Sequence, residues 1–250
     1  MQQQILQCFN SGNFKTSKEI GAHLNIPDWK VRKVVNKHGL YFGHYTPFGG
    51  NLALQISDIA HQVIVGSLLG DGSISKYSSK IANSSLIIKH SVKQRAYVRY
   101  KRYLLKNEGI GEGYYALQYR VDDRNSRLYG FSNYQSTNNT SFNVYRDKWY
   151  GTGKKIVPTD IEITPLVLAI WYMDDGTKAG TSGYYLCTDS FGIDEQVILQ
   201  KSLLRLGIKT ALHKISNTYR IYINKESVSQ FNDIVTPYMH KTMQYKLLSI

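Results

Sequence analysis

The chain has 250 residues, 42% of them hydrophobic and 20% charged, a composition that indicates a folded protein and excludes a disordered one. The 31 Lys and Arg exceed the 18 Asp and Glu and give a net charge of +13, which favours an anionic partner, above all nucleic acid. No apolar run approaches the ~20 residues that span a bilayer, and the N-terminus lacks the features of a signal peptide. We therefore expect a cytoplasmic protein of a bacterial, phage or organellar host, neither secreted nor bound to a membrane.

Residues 1–45 predict a small all-α domain of three short helices, the first from Gln3 to Phe9. The second begins with a capping box, in which Thr16 and Glu19 satisfy each other's amide groups. A third helix begins near Asp28 and is basic. A short helix, a tight turn and a following basic helix, here the second and third helices, are typical of a helix-turn-helix domain. The alternative is a plain three-helix bundle with a solvated basic face. The side chains that this helix would offer to DNA phosphates are Lys30, Arg32, Lys33 and Lys37.

After a linker predicted at 46–56, one pattern of elements occurs twice. In each copy an apolar helix precedes two strand-like segments, a second helix, two tyrosine-rich alternating segments and a closing helix. The copies cover 57–160 and 161–250. We predict an α+β fold of two pseudo-symmetric αββαββα subdomains, in which a pseudo-twofold axis brings the same point of each copy together.

Both apolar helices end in an acid followed by glycine, at Asp71 and at Asp175. The carbonyl end of a helix already carries partial negative charge, so acids there are unfavourable unless a cation lies nearby. A lone Asp-Gly pair normally marks a turn, but two pairs at matching points of a repeat favour a shared site. The small residues Gly66 and Ala169 would let the helices pack closely. Two carboxylates and several helix-end carbonyls would then form an oxygen-rich pocket suited to Mg²⁺.

Residues 64–72, IVGSLLGDG, and residues 168–176, LAIWYMDDG, resemble the two motifs of the LAGLIDADG homing endonucleases. Each departs from the consensus within the helix, and both keep the acid before the final glycine. The segments GKKIVP, LCTDSF and MQYKLL are similar to the same family, so that the resemblance covers about residues 57–250. It implies a monomeric, single-chain enzyme whose two motif helices form the subdomain interface. Two four-stranded sheets would form a saddle over DNA.

The resemblance also implies the metal ligands. Asp71 and Asp175 would be the catalytic acids that bind the metal, joined by the backbone carbonyls of Gly70 and Asp174. The expected cofactor is Mg²⁺, as two or three divalent ions. Mn²⁺ would substitute for it, and Ca²⁺ would bind without supporting cleavage.

Further catalytic residues follow from the same resemblance. Lys155 and Lys246 match the family's active-site lysines, which polarise the attacking water or offset charge on the phosphate. Ser91 and Asp189 follow corresponding strands and would position water. No histidine base is needed beside a metal ion. The histidines that we assign to the surface or to packing are His61, His90 and His213.

Residues 72–107 contain nine Lys or Arg and no acid, which favours contact with phosphates. Alternate residues of a two-stranded ribbon face one way and could read base edges in the major groove. The expected partner is a long duplex, pseudo-palindromic or asymmetric, cut on both strands to leave 3′ overhangs. The residues predicted to contact it are Ser73, Ser75, Lys76, Tyr77, Lys80, Lys89, Lys93, Arg95, Tyr184 and Arg220.

Two other functions stay open at this point. A transcriptional regulator could combine the helix-turn-helix with a non-catalytic version of the same fold, although the retained Asp71 and Asp175 argue against it. An RNA maturase that assists intron splicing would use the same fold and basic ribbons. The sequence does not separate the maturase from the endonuclease, nor an intron-encoded enzyme from a freestanding one.

Overall fold

The chain forms two compact units, Met1–Ala53 and Leu54–Ile250, in a computed structural model. The predicted linker at 46–56 lies mostly outside the described part of the chain, as do the predicted DNA contacts Tyr77 and Lys80. The residues that the structure describes are 1–11, 13–14, 16–37, 53–76 and 83–248. Side chains are described for all of these residues except 36 and 37.

The N-terminal unit contains the three predicted helices around a core of its own. The side chain of Thr16 accepts a hydrogen bond from the Glu19 amide at the start of the second helix, as the sequence predicted. Asn25 ends that helix in the left-handed conformation, with φ of 52°. The fully buried core residues are Ile5, Ile20, Val31 and Val35. The helices are α1 (Gln2–Asn10), α2 (Ser17–Leu24) and α3 (Asp28–Lys37).

The second unit contains the predicted αββαββα order twice, which confirms the α+β fold. The first copy consists of α4 (Asp58–Leu69), β1 (Gly72–Ile74), β2 (Leu86–Ser91), α5 (Arg95–Asn107), β3 (Glu112–Asp122), β4 (Arg127–Ser136) and α6 (Ser141–Tyr150). The second consists of α7 (Pro165–Asp175), β5 (Gly176–Ala179), β6 (Gly183–Leu186), α8 (Ile193–Arg205), β7 (Thr210–Ile215), β8 (Thr218–Ile223) and α9 (Val228–Val235).

Each copy forms one antiparallel four-stranded sheet, with the orders β1-β2-β4-β3 and β5-β6-β8-β7. Gly72 pairs with Ile88 in the first sheet and Gly176 with Leu186 in the second, so the two sheets share one register. Burial alternates along the strands because one face packs against helices. In β2, for example, His90 is buried and Lys89 is exposed. Each sheet therefore has a packed face and an open face.

The helices α4 and α7 pack against each other at the centre of the second unit. The side chains of Ser57 and Thr164 cap their N-termini. A Cβ added at Gly66 would lie 2.7 Å from the Ile170 Cβ, and one added at Gly70 would collide with Asp174. Because glycine lacks this atom, the two backbones can approach closely along the whole contact. Within the described part of the chain, no helix combines the length and apolarity needed to cross a bilayer.

Candidate active site

The two acids of the repeated motif come together where α4 and α7 end. Asp175 is half-buried, and burial, together with the charges of Asp71 and Asp174, raises the pKa of its carboxyl group to about 7. Among the described residues, no side chain or amide hydrogen bond to this carboxylate is present. Burial and the neighbouring acids disfavour the charged form of Asp175 more than Lys155 and Lys246 favour it, and a bound cation would relieve this imbalance.

Asp71 lies in a different environment, with 42% of its side chain exposed. Burial alone would raise the pKa of Asp71, but the contact with His90 and the charges of Lys101 and Lys246 lower it below its usual value. Asp71 is thus ionised at neutral pH and is partly open to solvent. A hard divalent cation prefers such a carboxylate oxygen.

The donor set fits a cation that is only partly held by protein. Among the described residues, no group of three or more His, Cys, Asp or Glu side chains could hold a metal ion. Asp71 and Asp175 would therefore supply two carboxylates, and the other ligands would be backbone or substrate oxygens. The predicted carbonyl ligands, Gly70 and Asp174, already accept hydrogen bonds from lysine ammonium groups. Each of these carbonyls keeps one lone pair for a cation.

Lys155 lies at the end of α4, where the sequence predicted an active-site lysine. Its Nζ donates to the carbonyl oxygens of Leu68, Gly70 and Gly72 at 2.9, 3.1 and 2.8 Å. Burial lowers the pKa of Lys155, although Asp175, Asp174 and Asp71 act in the opposite direction. An ammonium group has three protons, so all of them are used by the helix end.

Lys246 has the same arrangement at the end of α7. Its Nζ donates to the carbonyls of Met173 and Asp174 at 2.7 and 3.0 Å, and more weakly to that of Tyr172 at 3.4 Å. Burial lowers the pKa of Lys246 against the pull of the nearby acids. The two lysines thus cap the helix carbonyls and hold positive charge beside the carboxylates. Their observed hydrogen bonds leave no proton of Lys155 for a water molecule.

A buried polar cluster lies behind the acids, and the sequence did not predict it. The carboxylate of Asp174 is fully buried and ion-paired with the fully buried Lys101 at 2.9 Å. Tyr97 donates to the same carboxylate at 2.7 Å. His90, which we assigned to the surface or to packing, lies 3.1 Å from Asp71 through Nδ1. Burial of His90 agrees with the packing alternative of that assignment, but the sequence did not predict that the buried positions of β2 would bring His90 to Asp71.

The sequence did contain a signal for part of this cluster. Tyr97, Lys101 and Leu105 recur every four residues, so they share one face of α5, and Tyr97 and Leu105 place that face in the core. A lysine on such a face needs a buried partner. Asp174 is that partner, and its position in the other repeat made the pairing invisible to a sequence pattern.

Of the predicted water-positioning residues, Ser91 is the last residue of β2 and Asp189 lies three residues beyond the end of β6. Ser91 caps the short 3-10 segment that follows β2, and its hydroxyl accepts from the Lys93 amide at 3.4 Å. Asp189 forms an ion pair with Arg220 Nε at 2.8 Å and accepts from the hydroxyl of Thr218 at 3.0 Å. Asp189 is therefore engaged by a residue that we predicted to contact DNA.

The predicted DNA contacts are divided among several locations. Ser73 and Lys89 lie on the open face of the first sheet, and Lys76 is exposed beyond β1. Ser75 bonds to the hydroxyl of Ser85 at 3.0 Å. Lys37 has no described side chain. The remaining predicted contacts are exposed but belong to helices or helical turns, and they are Lys30, Arg32, Lys33, Lys93 and Arg95.

Tyr184 is the predicted DNA contact that the structure contradicts. Its side chain is fully buried, stacks edge-on against Tyr172 and donates to Asn232 at 2.7 Å. Alternation along β6 places Tyr185 on the open face instead, beside Tyr222 and His213. The prediction was wrong by one residue, because alternation shows two faces without saying which of them meets the core.

Three comparisons place this geometry among known proteins. The profile of the LAGLIDADG DNA endonuclease family matches residues 61–231. The cytochrome b mRNA maturase bI2 of Debaryomyces hansenii is 31% identical over 192 residues, which cover 74% of this chain and 72% of that protein. The protein RecA of Mycolicibacterium flavescens is 29% identical over 211 residues, covering 78% of this chain but only 47% of its own length.

A solved structure agrees with the fold. The homing endonuclease I-WcaI bound to its DNA recognition sequence superposes with a TM-score of 0.71 at 23% identity, covering 79% of this chain and 89% of that one. The matched segment of the family profile contains all of α4 except its first three residues, the whole of α7, and both sheets. On this match and on the identity to the bI2 maturase, the chain belongs to the LAGLIDADG DNA endonuclease family.

Proposed function

We propose that the chain is a site-specific endonuclease that hydrolyses both strands of a long DNA duplex with a divalent metal, leaving 3′ overhangs. Mg²⁺ is the proposed ion, in two or three copies, with Mn²⁺ as a substitute and Ca²⁺ as a binding but inactive ion. A protein with this substrate acts inside a cell or an organelle. The double motif lets one chain supply both acids, so we propose a functional monomer.

The observation that carries this proposal is the pair of acids at the ends of α4 and α7. Asp71 and Asp175 come from equivalent points of two repeats, and burial, together with the charges of Asp71 and Asp174, raises the pKa of Asp175 to about 7. An acid pair that served stability alone would be neutralised by its neighbours. Here Asp174 forms an ion pair with Lys101, whereas Lys155 and Lys246 offset the charge of Asp175 only in part, which leaves Asp175 for a ligand that carries positive charge.

The side chains have distinct roles in the proposed reaction. Asp71 and Asp175 would hold a divalent cation, which polarises the scissile phosphate and activates the attacking water. Lys155 and Lys246 add fixed positive charge next to the developing negative charge on the phosphate. Since the helix carbonyls hold their ammonium groups, the lysines act through charge and through the placement of the helix ends. For Lys155 to donate to water, it would have to release one of its three carbonyl acceptors.

DNA binding would use the open faces of the sheets together with the N-terminal unit. Lys89 lies on the open face of the first sheet, and Arg220, Tyr185 and Tyr222 lie on that of the second. Contacts between such cations and phosphates release counterions from DNA, and this release favours binding. The exposed basic residues of α3 support a helix-turn-helix that lengthens the footprint.

The test is a cleavage selection on a randomised duplex library, with Mg²⁺ and then with EDTA. We expect double-strand breaks at one long sequence in Mg²⁺ and none in EDTA. Tight binding to one sequence without cleavage in Mg²⁺ or Mn²⁺ would contradict the proposal and would indicate a transcriptional regulator.

A maturase is the second candidate function, and one observation favours it. The bI2 protein of Debaryomyces hansenii is an mRNA maturase by its name, and it covers 74% of this chain at 31% identity. An in vitro splicing assay with intron-containing RNA would test this function. Faster splicing by the wild type and by the Asp71→Asn variant would establish a maturase activity that is independent of the nuclease acids.

A further inference from the structure

The buried cluster behind Asp71 joins the two subdomains. Asp174, from α7, accepts from Lys101 Nζ at 2.9 and 3.0 Å and from the Tyr97 hydroxyl at 2.7 Å, and both of these residues belong to α5. The Asp71 amide donates to Oδ2 of Asp174 at 3.3 Å. One subdomain therefore holds the backbone of the other subdomain's acid. Because all the charges of the cluster are compensated, it can stay buried.

His90 connects this cluster to the carboxylate of Asp71. Its Nε2 lies 3.0 Å from Lys101 Nζ, and an ammonium group only donates, so Nε2 accepts and the ring proton is on Nδ1. Nδ1 lies 3.1 Å from Oδ2 of Asp71. His90 Nδ1 forms no hydrogen bond by geometric criteria, so the contact with Asp71 is electrostatic. Lys101 thus fixes the tautomer of His90 and leaves the ring proton on the nitrogen that lies nearest Asp71.

The second subdomain has different residues at the equivalent positions. The shared sheet register makes Thr188 the counterpart of His90, and the matching helix ends make Leu199 the counterpart of Lys101. Thr188 bonds to Gln196 at 2.9 Å, within its own subdomain. The counterpart of Asp174 is a glycine. The two acids are therefore equivalent in the repeat but are held differently.

We propose that His90 is a positioning residue that orients the Asp71 carboxylate, and that it makes the two halves of the active site unequal. The inference rests on the proposed endonuclease function. Asp71 has a protein contact that orients its carboxylate before a cation binds, whereas no such contact to the Asp175 carboxylate is present among the described residues. Loss of His90 should therefore slow cleavage of one strand, the strand whose cleavage depends on Asp71.

The experiment follows each strand separately. A duplex that contains the selected site carries a different label on each strand, and single-turnover rates are measured for the wild type and for His90→Leu, His90→Asn and the control His61→Gln. Asp71→Asn and Asp175→Asn identify the strand that depends on each acid. Asparagine keeps a side-chain N–H near the position of Nδ1, whereas leucine removes it. His61 contacts Tyr145 outside the acid cluster and so serves as a matched histidine.

We expect His90→Leu to slow the Asp71-dependent strand about tenfold or more and to accumulate nicked DNA, with the other strand unchanged. His90→Asn should restore most of the rate, and His61→Gln should match the wild type. Equal slowing of both strands, or no slowing, would overturn the proposal while leaving the endonuclease function intact.

A second measurement does not depend on cleavage. Calorimetric titration of Mn²⁺ into the full chain without DNA should show severalfold weaker binding in His90→Leu than in the wild type and in His61→Gln. If the wild type does not cleave DNA, this titration decides alone. Unchanged Mn²⁺ affinity in His90→Leu would then overturn the role of His90, and the missing cleavage would separately overturn the proposed function.

Discussion

At the scale of single residues, the two adjacent acids of the second motif have opposite fates. The Asp174 carboxylate is buried and paired with Lys101, whereas Asp175 faces Asp71 with no such partner among the described residues. The first motif has a glycine where the second has Asp174, and that glycine is needed because a Cβ there would collide with the Asp174 side chain. The side chain of Asp174 thus fits in its buried position only because Gly70, its counterpart in the first motif, has no side chain.

The environment of Asp175 predicts a pH dependence of stability in the absence of metal. Its folded pKa of about 7 exceeds the usual 3.8, so the folded state binds more protons than the unfolded state between these values. Stability should therefore fall as pH rises from about 4 to about 7. In EDTA at pH 8, Asp175→Asn should be more stable than the wild type by about 2 kcal/mol, roughly half of the unscreened value because solvent reaches part of the group.

Urea unfolding in EDTA from pH 4 to pH 8 measures this difference. Asp71→Asn is the matched control, since the pKa of Asp71 is lowered in the folded protein and its loss should reduce stability at neutral pH. Parallel pH profiles for the wild type and Asp175→Asn would contradict the predicted environment of Asp175.

The capping lysines predict a loss of stability in addition to any loss of activity. Lys155→Met removes three hydrogen bonds to partly buried carbonyls of the α4 end, which should cost about 1–3 kcal/mol. Lys154→Met is the control, because the neighbouring Lys154 is exposed. The free energy of unfolding of the two variants should differ. Equal stabilities would show that Lys155 acts only on the substrate.

At the scale of elements, the contact between α4 and α7 sets the distance between the acids. This contact depends on glycine, because both backbones approach where a larger side chain would reach the facing helix. The helix ends carry the acids directly, so a change in helix separation moves both carboxylates. The site is therefore built on two rigid elements rather than on loops.

Gly66→Ala tests this dependence on helix separation. The added Cβ would lie 2.7 Å from Ile170 Cβ, so the helices must separate, and the cost of overpacking should exceed the ~1 kcal/mol that alanine gains in helix propensity. We expect a net loss of about 1–2 kcal/mol by urea unfolding. Gly151→Ala is the control, because Gly151 has a right-handed helical backbone at the end of α6. A Gly66→Ala protein as stable as the wild type would contradict the tight contact.

The element order could be predicted from the sequence, because periodicity, caps and glycine stops are local signals. The paired acids could be predicted as well, since a repeat places equivalent residues at one axis. The core face of β6 could not be predicted, and Tyr184 was assigned to the wrong side for that reason. The network of Asp174, Lys101 and His90 joins three elements from two repeats, so it becomes visible only in three dimensions.

At the scale of the whole molecule, the positive charge is spread over two separate units. The N-terminal unit has its own core and an exposed basic row on α3, and the second unit carries the acids. The proposed helix-turn-helix contacts with DNA therefore belong to one unit, and the proposed catalytic acids belong to the other. We therefore expect affinity and catalytic rate to respond to different changes.

Removal of residues 1–53 should weaken DNA binding at least tenfold, with little effect on the cleavage rate of saturated complexes. In the full chain, the triple change Lys30→Gln, Arg32→Gln and Lys33→Gln should lower the slope of log affinity against log salt by up to about three, since each lost phosphate contact removes ~0.9. Fluorescence anisotropy in Ca²⁺ measures the DNA affinity and its dependence on salt, and single-turnover cleavage in Mg²⁺ measures the rate of saturated complexes. Equal affinity of the full and shortened chains would contradict a DNA-binding role for the N-terminal unit.

The central claim is that Asp71 and Asp175 together hold the metal that cleaves DNA. The most direct test is single-turnover cleavage of the selected duplex in Mg²⁺ by the wild type, Asp71→Asn and Asp175→Asn, with affinity measured in parallel. We predict a loss of double-strand cleavage of at least a thousandfold in each variant, with DNA affinity within a few-fold of the wild type. Normal cleavage by either variant would contradict the claim and would place the reaction at other residues.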